Sequence, residues 1–349
     1  MSKAANTAAP LNVAPLNVAP LNVAIVGCGY IGQRRSKNLA GARLTVCADV
    51  NLERASALAA TVPGCAATAD WRQAVARKDV DLVIVATLHD ALAEITRGAI
   101  EHGKHVLVEK PAARHVDELT PLPALARQTG SLVHVGFNHR YHRAFQKARR
   151  LVDEGVLGPL MFCRARYGHG GRVGYDREWR ADPKRSGGGE LIDQGVHLID
   201  LSRWFLGEFT QVSGSAHTFF WDMPVDDNAF LLLKTAKGRV AHLHCSCTEW
   251  KNTFCFELYG RDGKLVVDGL GGSYGTERLT WYKMLPEMGP PETCAWEFPM
   301  ADNSWLAEMA EFQEDIRLGR QPASGLAEGI AALSVVQTIY QESGYDHRP

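Results

Sequence analysis

The stretch "LNVAIVGCGYIG", residues 21 to 32, restricts the fold more than any other part of the chain. An apolar β-branched run that ends in GxGxxG and opens a helix is half of a strand–turn–helix unit, and that unit needs a parallel strand beside it. The chain supplies such strands. The runs "LNVAIVG", "LTVCADV", "DLVIVAT", "HVLVEK" and "LVHVGF" alternate with helix-like segments over 51–60, 90–102 and 114–129. Strands apolar on both faces and interleaved with helices predict an α/β fold whose first part, over 21–143, is a doubly wound parallel sheet of Rossmann type.

The glycines of the turn have separate roles. Gly27 permits the tight turn, Gly29 lets a pyrophosphate approach the backbone beside Tyr30 and Ile31, and Gly32 allows the helix to pack closely on the strand. Asp49 ends the second strand, about 17 residues beyond Gly32, where a carboxylate accepts the ribose hydroxyls of NAD and repels the 2′-phosphate of NADP. NAD is the expected dinucleotide. NADP is the less favoured one, and Arg34 and Arg54 are the side chains that would admit it.

Beyond about residue 155 the pattern changes. In "RVAHLHCSC", Ala241, Leu243, Cys245 and Cys247 alternate with His242, His244 and Ser246, the period of an antiparallel sheet covered on one face. Helical segments over 301–319 and 325–342 close the chain. Residues 144–349 are therefore expected to form an α+β domain with a mostly antiparallel sheet. Residues 1–20 hold an Ala-rich leader and then a repeated five-residue unit with proline at 10, 15 and 20, which predicts a disordered tail.

Composition excludes several partners. A formal net charge of -1 leaves no electrostatic footprint for nucleic acid or an anionic membrane surface. No apolar run approaches the roughly 20 residues of a membrane span, and no cationic start precedes an apolar segment. Eight cysteines without a CxxC pair fit free thiols in a reducing compartment, so the expected location is cytoplasmic. No metal site is expected, because on a strand His242 and His244 face away from Cys245 and Cys247.

Two further motifs carry chemistry. In "HVLVEKPAA", Glu109 and Lys110 stand at the carboxyl end of an apolar strand, where open α/β sheets place ligand-binding groups, and Pro111 restricts the Lys110 backbone. In "GGGELIDQGVHLID", Asp193 and His197 are spaced i, i+4 and share one helix face, with Asp200 a further turn along it. Apolar neighbours make that helix buried, with one polar stripe aimed into a cleft. The three preceding glycines suit the close approach of a ligand.

In this order and spacing, "GCGYIG", "EKP" and "GGGELIDQGVHLID" resemble the glucose-fructose oxidoreductase, inositol dehydrogenase and MocA family of NAD(P)-dependent oxidoreductases, over nearly everything from residue 21 onward. The resemblance implies hydride transfer between the nicotinamide and a secondary alcohol of a sugar, polyol or sugar derivative. It also implies a large open sheet that joins subunits into a homodimer or homotetramer. It makes Lys110 the lysine of the EKP motif and Asp193 and His197 the paired residues of the catalytic helix. Either Lys110 or His197 is then the proton carrier, and Thr87, Glu109 and Lys110 join the glycine turn in contacting the cofactor. For the substrate, Asn138, Arg140 and Tyr141 follow the last Rossmann strand in "GFNHRYHRAF". The segment 167–189 adds Tyr175, Trp179 and Arg180, and its cations leave a phosphorylated substrate open. The chain departs from the family in "ATLHDALAEI", where Leu88 and His89 replace a Pro-Asn turn and 91–93 carry no histidine. Two other readings are a lyase or glycosidase with internal redox cycling of the cofactor, and an NAD-binding protein without catalysis.

Overall fold

The computed structural model describes residues 19–287 and 289–345, so the repeat tail assigned to 1–20 lies almost wholly outside the described residues. Its first sheet has six parallel strands in the order β3-β2-β1-β4-β5-β6. These are β1 Asn22–Val26, β2 Arg43–Ala48, β3 Ala66–Thr68, β4 Leu82–Val85, β5 His105–Glu109 and β6 Val133–Gly136. Val23, Ala24 and Ile25 are wholly buried, as a strand covered on both faces requires. The strand order reverses between β1 and β4, whose carboxyl ends open the crevice where such sheets bind ligands. Register places Val26 beside both Ala48 and Val85, which brings Gly27, Asp49 and Thr87 to one rim.

Two elements of this domain escaped the sequence pattern. The three-residue β3 and the short helix Trp71–Val75 are too brief to show a period. The segment 114–129 forms two helices, Val116–Leu119 and Leu122–Thr129, because Pro121 and Pro123 interrupt the backbone ladder but suit a new helix start.

The second sheet has eight strands in the order β14-β13-β12-β11-β7-β10-β9-β8. They are β7 Leu160–Gly168, β8 Phe209–His217, β9 Asn228–Thr235, β10 Val240–Ser246, β11 Thr253–Gly260, β12 Gly263–Asp268, β13 Glu277–Lys283 and β14 Glu292–Phe298. All pairs are antiparallel except β7 with β10. Ala241, Leu243 and Cys245 of β10 are buried while His242 is exposed, the alternation expected of one covered face. The other face carries Phe230 and Leu232, the latter 52% exposed.

The last two helices tie the sheets together. Helix Ser304–Leu318 buries Met309 and Phe312 in the cluster that holds Val23, Ile25 and Leu44 of the first sheet. After it, the Ser324 carbonyl accepts from the Val135 amide at the open edge of β6, and the Ser324 hydroxyl donates to the Val135 carbonyl. Helix Leu326–Ser343 then packs between that edge and the covered face of the second sheet.

Candidate active site

The glycine turn forms one wall of a groove of about 410 Å³ lined by Gly27, Gly29, Asp49, Val50, Arg54, Thr87 and Leu88. Gly27 has φ +93°, and a side chain there would meet the Ala86 carbonyl. A Cβ on Gly32 would lie 1.9 Å from the Gly27 carbonyl, so this glycine lets the helix close on the turn. Gly29 is different, since nothing lies within 4 Å of the place its Cβ would take. It opens the helix Tyr30–Ser36, whose start has no side-chain cap and no acid in its first turn, so its amides remain available to an anion. Asp49 accepts from the Cys28 amide at 2.8 Å and the Asn51 amide at 2.9 Å, which fixes its carboxylate at the rim with lone pairs to spare for ribose hydroxyls. The groove fits a dinucleotide.

Thr87 also lines a second cavity, a cleft of about 710 Å³ between the two sheets. Tyr30, Ile31, Glu109, Lys110, Asn138, Trp179, Arg180, Asp193 and His197 meet there, from both domains. Lys110 follows β5, joined to Pro111 by a cis peptide, and its ammonium donates to the Asp193 carbonyl and to Asp193 Oδ1, each at 2.6 Å. Arg180 Nε donates to the other oxygen, Oδ2, at 2.8 Å. Burial disfavours the Asp193 carboxylate, but Lys110 and Arg180 outweigh it and hold the acid well below its usual range. The aspartate thus orients the lysine. It makes no hydrogen bond to His197.

His197 is held by rings. It stacks on His139 with centroids 3.8 Å apart, Phe137 stands edge-on to it at 6.0 Å, and its Nδ1 is buried without a partner. Burial first, then the Lys110 cation, push its pKa well below 6.5, so the imidazole is neutral at pH 7.

Several residues named from sequence stand elsewhere. Arg140 does not line the cleft; it is buried in a bidentate pair with Asp200, at 2.7 and 2.5 Å, and donates to the Ala323 carbonyl. Asp200 accordingly faces Arg140 and not the cleft. Tyr141 donates to Glu311 away from the cleft. Tyr175 packs behind the cleft wall with Ala181, Met223, Val225 and Cys247. Glu109 borders the cleft, but its carboxylate is taken by Arg35, which also pairs with the buried Glu308. The three glycines before the helix make room for protein, not ligand: a Cβ on Gly187 would strike Arg114, on Gly188 the Tyr340 hydroxyl, and on Gly189 the Asp226 carbonyl at 1.9 Å.

The cleft also contains residues to which the sequence reading gave no part in the site. His139 lines it from the 3₁₀ turn Asn138–Tyr141 and His142 from the extended residue that ends that turn, while Arg140 between them is taken by Asp200. His89 lies in the wall, edge-on to Trp179 at 4.9 Å and bonded through Nδ1 to the Ser186 carbonyl. Burial, with Lys110 adding to it against Asp193, pushes its pKa down to about 4. Trp305 reaches the cleft from helix Ser304–Leu318, with Arg34 and Arg35 over its ring. Its signal was absent, because nothing in sequence says that a helix nearly 200 residues beyond "EKP" returns to the first domain.

Fold and cleft together define a class, the two-domain oxidoreductases that hold a dinucleotide on a Rossmann sheet. Residues 21–137 match the model of an oxidoreductase family with an NAD-binding Rossmann fold, and residues 145–266 match the GFO/IDH/MocA C-terminal domain. The chain belongs to the GFO/IDH/MocA family of oxidoreductases, and its first domain is the NAD-binding one. It is 30% identical to dTDP-3,4-didehydro-2,6-dideoxy-alpha-D-glucose 3-reductase of Streptomyces violaceoruber over 70% of this chain and 71% of that one. It is 27% identical to the NAD(+)-dependent scyllo-inositol 2-dehydrogenase of Bacillus subtilis strain 168 over 85% and 86% of the two chains. In fold it is similar to a levoglucosan dehydrogenase solved with NADH and L-sorbose, with TM-score 0.81, 24% identity, and 93% and 97% coverage.

Proposed function

We propose that the protein transfers a hydride between NAD and one secondary hydroxyl of an uncharged cyclic sugar or polyol, with Lys110 and His197 at the reacting oxygen. The observation that carries this reading is the meeting of a paired ammonium and a neutral imidazole in a cleft continuous with the dinucleotide groove. Bound NAD supplies the hydride acceptor. Lys110 has three N–H groups and gives two to Asp193, so one remains for the substrate oxygen, where it stabilises the negative charge that develops as the hydride leaves. His197, neutral, takes the hydroxyl proton on Nε2, the ring nitrogen that is not buried away from the cleft. Asp193 fixes the ammonium, and Trp179 offers a face to the sugar ring.

The charge balance supports an uncharged substrate. Arg180 and Lys110 are paired with Asp193, Arg34 with Asp302 and Arg172 with Glu178. Arg185 borders the dinucleotide groove instead of the cleft. No cation lining the cleft is left without an acid among the described residues, so a phosphate would meet no unpaired guanidinium. The open sheet face, where Phe230 and Leu232 stand among polar neighbours, supports a homodimer or homotetramer; a monomer mass by light scattering at micromolar concentration would overturn that part. Eight free cysteines support a reducing, cytoplasmic setting.

The deciding experiment follows NADH absorbance with NAD and a panel of uncharged sugars and cyclitols beside their phosphates and nucleotide derivatives. We expect turnover with an uncharged member. Activity confined to phosphorylated or nucleotide-linked members contradicts the substrate assignment.

A further inference from the structure

The helix that carries Asp193 and His197 begins inside the protein, where residues 187–193 are all buried. A helix leaves its first four N–H groups without partners of its own, and buried ones need partners from elsewhere. Two residues distant in sequence supply them all. Asp226, wholly buried in the connection between β8 and β9, accepts the Gly189 amide on Oδ1 at 2.9 Å and the Leu191 amide on Oδ2 at 2.8 Å. Its backbone carbonyl accepts the Glu190 amide at 3.0 Å. Tyr340 of helix Leu326–Ser343 donates its hydroxyl to Asp226 Oδ1 at 2.6 Å and accepts from the amides of Gly189 and Ile192 at 3.0 and 3.3 Å. The absence of side chains at Gly188 and Gly189 is what allows this approach.

The capped amides stand directly before the lysine's anchor. Both acceptors of Lys110 belong to residue 193, two positions beyond Leu191 and inside the π-helical turn Leu191–Gly195. Such turns close i to i−5 bonds in place of part of the regular ladder, and the Asp193 amide is itself bonded to the Gly189 carbonyl at the capped start. A displacement of the helix start therefore moves both acceptors of Lys110 together.

We propose that Asp226 and Tyr340 are positioning residues for the reaction, and that the ionised Asp226 carboxylate holds the Lys110–Asp193 pair in register, so that turnover requires its charge. This rests on the assignment of Lys110 and Asp193 to the reacting centre. Burial pushes the Asp226 carboxyl up to about 6, against the pull of the Tyr340 hydroxyl and the Leu191 and Gly189 amides. Bonds that favour the ionised form are weakened when a proton is added. Glu190 on the catalytic helix also faces Asp226 and raises it. The other titratable groups near it are Tyr340 and the thiols of Cys245 and Cys247, all pushed up by burial and so protonated throughout. The adjacent Asp227 turns its carboxylate to the amides of Phe219, Phe220 and Trp221.

The signs separate function from stability. A carboxyl whose folded pKa lies above its unfolded one contributes stability below the unfolded pKa and loses it as pH rises through about 6. Turnover should rise over the same interval.

The test measures kcat against pH from 5 to 8 for the NAD-loaded protein with an active panel member. Asp226→Asn should lower kcat about 10-fold or more at pH 7.5, abolish the acid limb near pH 6 and leave NAD affinity within about 2-fold. Tyr340→Phe should move that limb to higher pH, because the hydroxyl that pulls the carboxyl down is gone. A readout independent of turnover is hydrogen exchange of amides 189–192, corrected for intrinsic rates. It should be faster below pH 6 than at pH 7.5 in the wild type and insensitive to pH in Asp226→Asn. A limb that survives in Asp226→Asn, or wild-type exchange that is flat with pH, overturns the proposal; if Asp226→Asn does not fold, Tyr340→Phe decides. If the exchange pattern holds but no panel member is turned over, the cap stands and the catalytic assignment fails.

Discussion

In the proposed reaction, Lys110 and His197 divide the chemistry by charge. The lysine is tied to an aspartate and the histidine is neutral because it is buried beside that lysine, so a cation and a base coexist in one cleft without neutralising each other. Replacing either by Ala should lower kcat by about 10²-fold or more while NAD still binds, since neither side chain supports the glycine turn. Calorimetric titration with NAD beside steady-state rates checks both halves, and full activity in either variant would remove that residue from the mechanism. That Lys110, Asp193 and His197 line one cleft was legible because each sits in a motif that places it at a strand end or on one helix face. Arg140 and Tyr175 were not. A long cationic or aromatic side chain near a site reads as ligand-binding, and the residue that claims Arg140, Asp200, lies 60 positions away.

At the scale of elements, glycines that look alike in sequence do different things. Gly29 faces open space at the helix start, while Gly32 touches the Gly27 carbonyl. Gly29→Ala should leave Tm within about 1 °C and weaken NAD binding about 10-fold or more, because its φ of -72° accepts a side chain that then occupies the anion's place. Gly32→Ala should lower Tm by several degrees, an overpacking cost of about 1–3 kcal/mol or more. Thermal scans with and without NAD distinguish them; unchanged NAD affinity in Gly29→Ala would place the pyrophosphate elsewhere. Five of the six strands of the first sheet were readable from their unbroken apolar runs, and the second sheet from its period of two. The glycines 187–189 were misread for a physical reason: a residue without a side chain shows that something comes close, but not whether it is a ligand or Asp226 and Tyr340.

Across the whole molecule, the cleft exists because distant parts of the chain converge. The first sheet brings Thr87 and Lys110 to its carboxyl edge, the second sheet and its covering helices bring Asp193 and His197, and the C-terminal helices return to lock the two together through Phe312, Ser324 and Tyr340. Local patterns carry the pieces, whereas this convergence rests on long-range burial that no short window displays. Thr87 lines both the groove and the cleft, and in the proposed complex a dinucleotide lying along the glycine turn presents its nicotinamide to Lys110 and His197. A crystal structure with NAD and an uncharged polyol that the protein turns over tests this most directly. It should show one substrate carbon about 3–3.5 Å from the nicotinamide ring, with its oxygen bonded to Lys110 Nζ and His197 Nε2. A polyol bound with its oxygen beyond hydrogen-bond reach of both side chains, or a nicotinamide turned out of the cleft, would contradict it.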